Sequence, residues 1–355
     1  MTPILLAILA PVQAAAVPML EMPPPAAAGF IESLGEAATT LRPAIPVAER
    51  ILAVVRLAVV PAATDAPSGW ARGATLARYA AAETGDPARL ESTRDYSRRT
   101  LAGKPAERMT TDDLIGLLTS DAELVSAAYA EAETRGGNPA AKAAVADLRV
   151  IATLGRFHAL RLKAAVHYNL FLRAQRLAEL VAATYVEKDA VILWKEVMNA
   201  AAAADRHGNR ARPLRVRSDW AADLARLDAS ARDLEAQCCP PAPDLLKERT
   251  WQPAAVKSTP WPKADLLRPA GDARRAIVRL STPAQFNRAT LFMRAKGEAG
   301  FRTIPLSAVA GDTLSAELPT GTGRLEGFLA LEGPEGIRFS PAPWDRPAFL
   351  TVDGP

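Results

Sequence analysis

Between Asp205 and Asp219 the chain carries Arg206, His207, Arg210, Arg212, Arg215 and Arg217 with no acidic residue among them. A guanidinium is always charged and presents a planar fork of donors that fits a carboxylate or phosphate, so this loop is the candidate site for an acidic glycan or an acidic protein partner. Charge runs between helices also face water by default. Nucleic acid is not the expected partner, because no aromatic residue interleaves the arginines before Trp220 and the net charge is only +4. The histidines number 3 in all, His158, His167 and His207. His158 and His167 fall on opposite sides of a helix at about 100° per residue and cannot share a metal; each reads as a hydrogen-bonded core residue, since the sequence shows no partner for titration or ligation.

No other constellation spells out a reaction. There is no Gly-x-Ser-x-Gly elbow, no phosphate-cradling glycine loop and no His-Glu-x-x-His. Asp112, Asp113, Glu131 and Glu133 stand where helix starts and solvated faces place acids, and nothing in their spacing indicates paired-carboxylate catalysis. Cys238 and Cys239 are adjacent and cannot staple distant segments; they read as small buried residues at a helix end, with a vicinal disulfide or an intermolecular bridge as alternatives. The sequence therefore supplies no catalytic residue, no metal site and no cofactor site.

The elements that would position such residues change character near residue 240. At 355 residues, with 49% hydrophobic and 23% charged residues, the chain is long enough for more than one domain and of ordinary globular composition. Helical text runs from Gly29 to about Gln237. Asp86-Pro87 and Asn138-Pro139 place an N-cap before a first-turn proline, and Thr110 with Asp113 and Ser120 with Glu123 fit the capping-box spacing. The stretch Pro139 to Asp205, with Gly155 inside it, is too long for one helix, so a turn at Arg173-Ala174-Gln175-Arg176 predicts a hairpin of 138–172 against 177–204. Val145, Leu148, Ile151, Leu154 and His158 mark the inward face of the first arm, and Leu180, Tyr185, Ala190, Leu193 and Val197 that of the second. A further helix over 218–236 buries Trp220, Leu224, Leu227, Ala231 and Leu234, and Ile51 to Val60 reads as a buried core helix.

A Pro-punctuated linker over 239–271 follows, extended because each proline fixes its own φ and restricts its predecessor; Trp251 and Trp261 are expected to pack it onto neighbouring domains. From Ala273 the period is two. Runs at 276–280, 290–293, 313–318, 327–331 and 348–352 predict an immunoglobulin-like or fibronectin-III-like sandwich. The expected fold is thus multidomain, an antiparallel all-α helical array over 19–238 and a small β-sandwich over 272–355. Residues 1–18 read as a signal peptide, with the apolar run Pro3–Val12 before Ala14, Ala15 and Ala16, and imply export to the periplasm or beyond. The alternative is a docked N-terminal helix in a cytoplasmic protein. A permanent membrane span is not expected, since Pro3, Pro11, Gln13 and Pro18 interrupt the run.

The run Gly155-Arg156-Phe157-His158-Ala159-Leu160-Arg161-Leu162-Lys163-Ala164-Ala165, then Asp205-Arg206-His207-Gly208-Asn209 and Ser218-Asp219-Trp220 before a Leu-rich helix, with a strand-rich tail, resembles the C-terminal portion of large exported bacterial glycoside-hydrolase-like proteins. The resemblance implies a polysaccharide-related setting over about 140–355. The sugar-directed barrel of those proteins has no room here, so no catalytic residue carries over. The resulting expectation is a non-catalytic secreted accessory or binding protein associated with carbohydrate processing. Its rivals are a glycoside-hydrolase-like enzyme acting on acidic sugars at an interdomain site, and a helical protein-protein interaction scaffold.

Overall fold

The structure is a computed structural model and describes residues 31–60, 69–72, 75–206, 219–238, 250–254, 261–267, 275–281, 286–298, 300–310, 313–318, 324–333, 336–343, 345 and 349–352. Its helical part holds α1 (Ala38–Leu41), α2 (Ala44–Ala58), α3 (Leu76–Ala81), α4 (Thr93–Leu101), α5 (Thr111–Thr134), α6 (Pro139–Ala174), α7 (Leu177–Arg206) and α8 (Trp220–Gln237). The strands that follow are β1 (Ala264–Leu267), β2 (Arg275–Leu280), β3 (Arg288–Ala295), β4 (Arg302–Pro305), β5 (Ser307–Ala310), β6 (Thr313–Glu317), β7 (Leu325–Gly333), β8 (Gly336–Ser340) and β9 (Leu350–Val352). The chain is a helical array followed by a β-sandwich. None of the described helices is long and apolar enough to cross a membrane.

Local signals account for most helix ends. Thr110 and Asp113 form a reciprocal capping box at α5, and Asn138 accepts the Ala141 N–H with Pro139 in the first turn of α6. The hairpin turns where expected. Gln175, in the left-handed region at φ 54°, ends α6, and α7 starts at Leu177. Two expected caps are instead something else. Ser120 lies inside α5, its hydroxyl donating to the Leu117 carbonyl at 3.4 Å, because the apolar face of α5 continues unbroken through it. Asp86 caps a single turn rather than a helix, accepting the Arg89 N–H on its carboxylate while its carbonyl takes the Leu90 N–H.

α6 is the centre of the array. Helix α5 packs on one side of it and α7 on another, and it buries residues around most of its circumference, as a core helix must. Gly155 does not interrupt α6. A Cβ there would meet Ile51 Cγ2 at 3.1 Å and Ala122 Cβ at 3.5 Å, so glycine permits α2 and α5 to approach closely. On α7 the inward face includes Leu180, Val181, Ala190, Trp194 and Val197. Tyr185 is exposed, contrary to the expectation for that face, because its neighbours Thr184 and Glu187 turn inward instead. Cys238 is buried at the end of α8, 3.2 Å from the Thr184 hydroxyl; Cys239 lies outside the described residues.

The sandwich stacks an antiparallel sheet β1-β2-β6-β5 on a second, β4-β3-β7-β8, in which β9 shares an edge of β7 with β8. The period-two reading locates β2, β3, β6, β7 and β9. Four further strands fill the sheets: β1, which lies within the Pro-rich segment and pairs with β2, and the short β4, β5 and β8. Along β7 the alternation serves both faces. Leu325, Leu329 and Leu331 enter the sandwich core. Phe328, on the other face, joins the core of the helical array together with Phe339.

Candidate functional site

The arginine loop that the sequence singles out falls mostly outside the described residues. Arg206 closes α7, while His207, Arg210, Arg212, Arg215 and Arg217 are not among the residues described. Within the described residues, side chains able to do chemistry gather in the two buried clusters and the open trough described below.

One buried cluster lies between α3, α6 and α7. His158 Nε2 sits 2.8 Å from the Trp70 carbonyl and Nδ1 3.1 Å from the Tyr79 hydroxyl. A carbonyl only accepts, so Nε2 carries the proton, and the neutral ring takes the Tyr79 O–H on Nδ1. Burial, with Arg72 and Arg161 nearby, holds the His158 pKa well below the ordinary value. Burial likewise pushes the Tyr79 hydroxyl up. Arg161 lies over the Tyr79 ring at 4.6 Å and pairs with Glu187 at 3.1 Å, both side chains fully buried. Desolvation raises the Glu187 pKa, and Arg161 opposes it. Desolvation also draws Arg72 down to about 10.

The other cluster fastens the Pro-rich segment. Trp251 lies edge-on to Tyr96 and to His167. Its indole N–H donates to the Tyr96 hydroxyl at 3.0 Å, which in turn donates to Asp112 at 2.6 Å. The Trp251 backbone N–H reaches Glu179 at 3.3 Å, and Glu179 also accepts from His167 Nδ1 at 2.6 Å. The histidine partners that the sequence reading did not find are therefore present. They come from the turn that holds Trp70, from α3, from α7 and from the Pro-rich segment, which no local spacing reveals. Trp261 packs in the same manner on the sandwich side, under Arg338 at 4.8 Å.

An open concavity with a mixed lining lies on the sandwich. A trough of about 860 Å³ runs beside the point where β4 passes the chain to β5. Arg275, Arg302 and Glu317 are exposed on its rim, with the hydroxyls of Thr303, Ser307 and Ser315. Ile304, Ala316 and Leu318 form an apolar floor continuous with the sandwich core. A smaller hollow of about 320 Å³ near the start of α6 is lined chiefly by small residues such as Ala132, Gly137, Ala141 and Ala200. Among the described residues, no three His, Cys, Asp or Glu side chains converge as a metal site would need. Between helices and sandwich, Arg89 reaches from the helical part into the Phe328 and Phe349 rings.

No family model matches the sequence. No curated protein matches it either. Among solved structures the chain is similar to a GH138 enzyme targeting pectin rhamnogalacturonan II, at 12% identity and a TM-score of 0.33. That alignment covers 74% of this chain and 38% of the other, so the chain spans well under half the length of that carbohydrate-active enzyme.

Proposed function

We propose that the chain is an exported, non-catalytic accessory protein of carbohydrate processing, in which the helical array is a rigid mount and the sandwich trough holds a sugar chain. The observation that carries this reading is the make-up of the trough. Hydroxyls, guanidiniums and a carboxylate on the rim over an apolar floor can satisfy a sugar's hydroxyls and cover its C–H face at once, as ligand sites combine apolar walls with a few polar groups. Support also comes from the fate of the acid–base groups. His158, His167 and Glu187 are buried and engaged by internal partners. The resemblance carried by Gly155–Ala165 and Ser218–Trp220 fits the same setting, and the N-terminal run of Pro3–Val12 before Ala14–Ala16 fits export.

The test is a glycan array and calorimetric titration of the chain lacking residues 1–18, alongside a reducing-end assay on every glycan that binds. Retention of a bound glycan without turnover is the expected result. Sustained product release, proportional to enzyme and abolished by a variant at a buried carboxylate, would replace this reading with the enzymatic one.

A further inference from the structure

We propose that the trough selects acidic sugar chains, with Arg275 and Arg302 as the groups that grip the carboxylates; this rests on the reading of the sandwich as the glycan-holding part. Arg275 opens β2 and Arg302 opens β4, strands of opposite sheets, so the two guanidiniums enter one trough from its two walls. Both side chains are exposed, and neither makes an ion pair with another described residue. Two other arginines of the sandwich are by contrast engaged internally: Arg294 binds Glu326 at 2.7 Å beneath the Phe301 ring, and Arg338 covers Trp261. The donor forks of Arg275 and Arg302 are thus available to an outside acceptor, and a carboxylate is the group they match bidentately.

Glu317 gives the trough polarity. It lies opposite Arg275 across the β2–β6 ladder, accepts hydroxyl protons and repels a carboxylate from its own position. Two guanidiniums against this one carboxylate leave the lining with an excess of one positive charge. A neutral sugar gains nothing from that excess; a uronic acid does. A peptide strand is a poorer occupant, because the edge strand β4 carries Pro305, which has no N–H to offer a pairing backbone. The size is compatible, since a trough of about 860 Å³ falls within the roughly 300–1,000 Å³ of small-ligand sites.

Calorimetric titration of the whole chain with oligogalacturonate and with its methyl ester, at low and at physiological salt, tests the proposal. The acid form should bind about tenfold more tightly than the ester at low salt, with the gap narrowing as salt screens the rim. The double variant Arg275→Gln, Arg302→Gln should keep its melting temperature while losing the preference for the acid, so that it binds acid and ester alike. Equal affinity of the parent for both forms overturns the selectivity and leaves the glycan-holding reading intact. Binding of neither form overturns both. A preference for the acid that survives in this double variant but disappears on Arg210→Ser, Arg212→Ser, Arg215→Ser places recognition in the loop before α8 and overturns the proposal.

Discussion

The guanidinium of Arg89 lies 5.0 Å from the centre of the Phe328 ring and 5.1 Å from that of Phe349. It comes from the turn between α3 and α4 and enters the aromatic face of the second sheet. Asp86 holds its Nε at 2.6 Å, and it donates to the Pro341 carbonyl at 3.3 Å. One side chain thereby joins the two folds by hydrogen bond and ring contact, with its charge neutralised by Asp86 of its own turn.

Replacing Arg89 by Ala removes these contacts and leaves a void among phenylalanines, which should cost about 2–4 kcal/mol in urea denaturation. Lysine should not rescue it, since an ammonium lacks the planar fork. Residues 261–355 expressed alone should bind hydrophobic dye and self-associate, because Phe328 and Phe339 lose the helices that cover them. A monomeric, dye-silent fragment would show that the helices are not needed to cover this sheet.

The buried pair of Arg161 and Glu187 should behave differently when broken and when replaced. Glu187→Ala leaves a guanidinium in the core and should cost about 3–5 kcal/mol, whereas Arg161→Met with Glu187→Leu should come within about 1 kcal/mol of the parent. Chemical denaturation of the single and double variants measures both. Equal losses in the two variants would mean that the pair contributes packing alone.

Acid stability should depend on His158. Its folded pKa is depressed below 6.5, so the stability it contributes is present above about pH 6.5 and lost as pH falls. Below that point the unfolded chain takes up a proton that the buried ring refuses, a slope of about 1.4 kcal/mol per pH unit. His158→Gln should be less stable at pH 8, because the Tyr79 and Trp70 bonds are disturbed, yet flatter between pH 6.5 and 5. An unchanged slope in the variant would assign the acid loss to other groups.

Trp251 is the anchor by which the Pro-rich segment is tied to α4, α5 and α7. Trp251→Phe keeps a ring between Tyr96 and His167 but loses the indole donor, at an expected cost of about 1 kcal/mol. Trp251→Ala should accelerate proteolytic cutting within 239–271 several-fold while leaving the helical circular dichroism unchanged. If cutting starts instead within 177–204, the segment is not where the chain opens.

What was legible in the sequence was local. Asn138-Pro139, Thr110 with Asp113 and the polar run Arg173–Arg176 each act within a few residues, and each is found where its chemistry requires. Asp86-Pro87 had the letters of a helix start but caps only one turn, since Arg89 leaves that turn to enter the sandwich. β1 was hidden by Pro260 and Pro262 before it, and β4 and β5 carry a single large apolar residue each, Ile304 and Val309, which sets no alternation. The candidate site was not legible at all. Arg275, Arg302 and Glu317 belong to separate strands, and only the pairing of β2 with β6 and the passage of β4 into β5 bring them to one trough.

Gly327 offers the sharpest test of the sandwich itself. It faces Met293 across the β3–β7 ladder, and a Cβ on it would collide with the Met293 sulfur and, closer still, with the Phe292 carbonyl oxygen. The carbonyl belongs to the ladder and cannot swing aside as a side chain would, so Gly327→Ala must push β3 and β7 apart. That displacement would disturb Leu291 and Leu329 on one face and Phe292 and Phe328 on the other, both sets buried or half-buried. The expected loss is about 3 kcal/mol or more, in the range of overpacked cores. Gly300→Ala, where nothing lies within 4 Å of the added methyl, should stay within about 0.5 kcal/mol and serves as the control. Thermal melts of the two variants side by side decide it: equal and small shifts would mean that β3 and β7 are not held in the register that pairs Phe292 with Phe328.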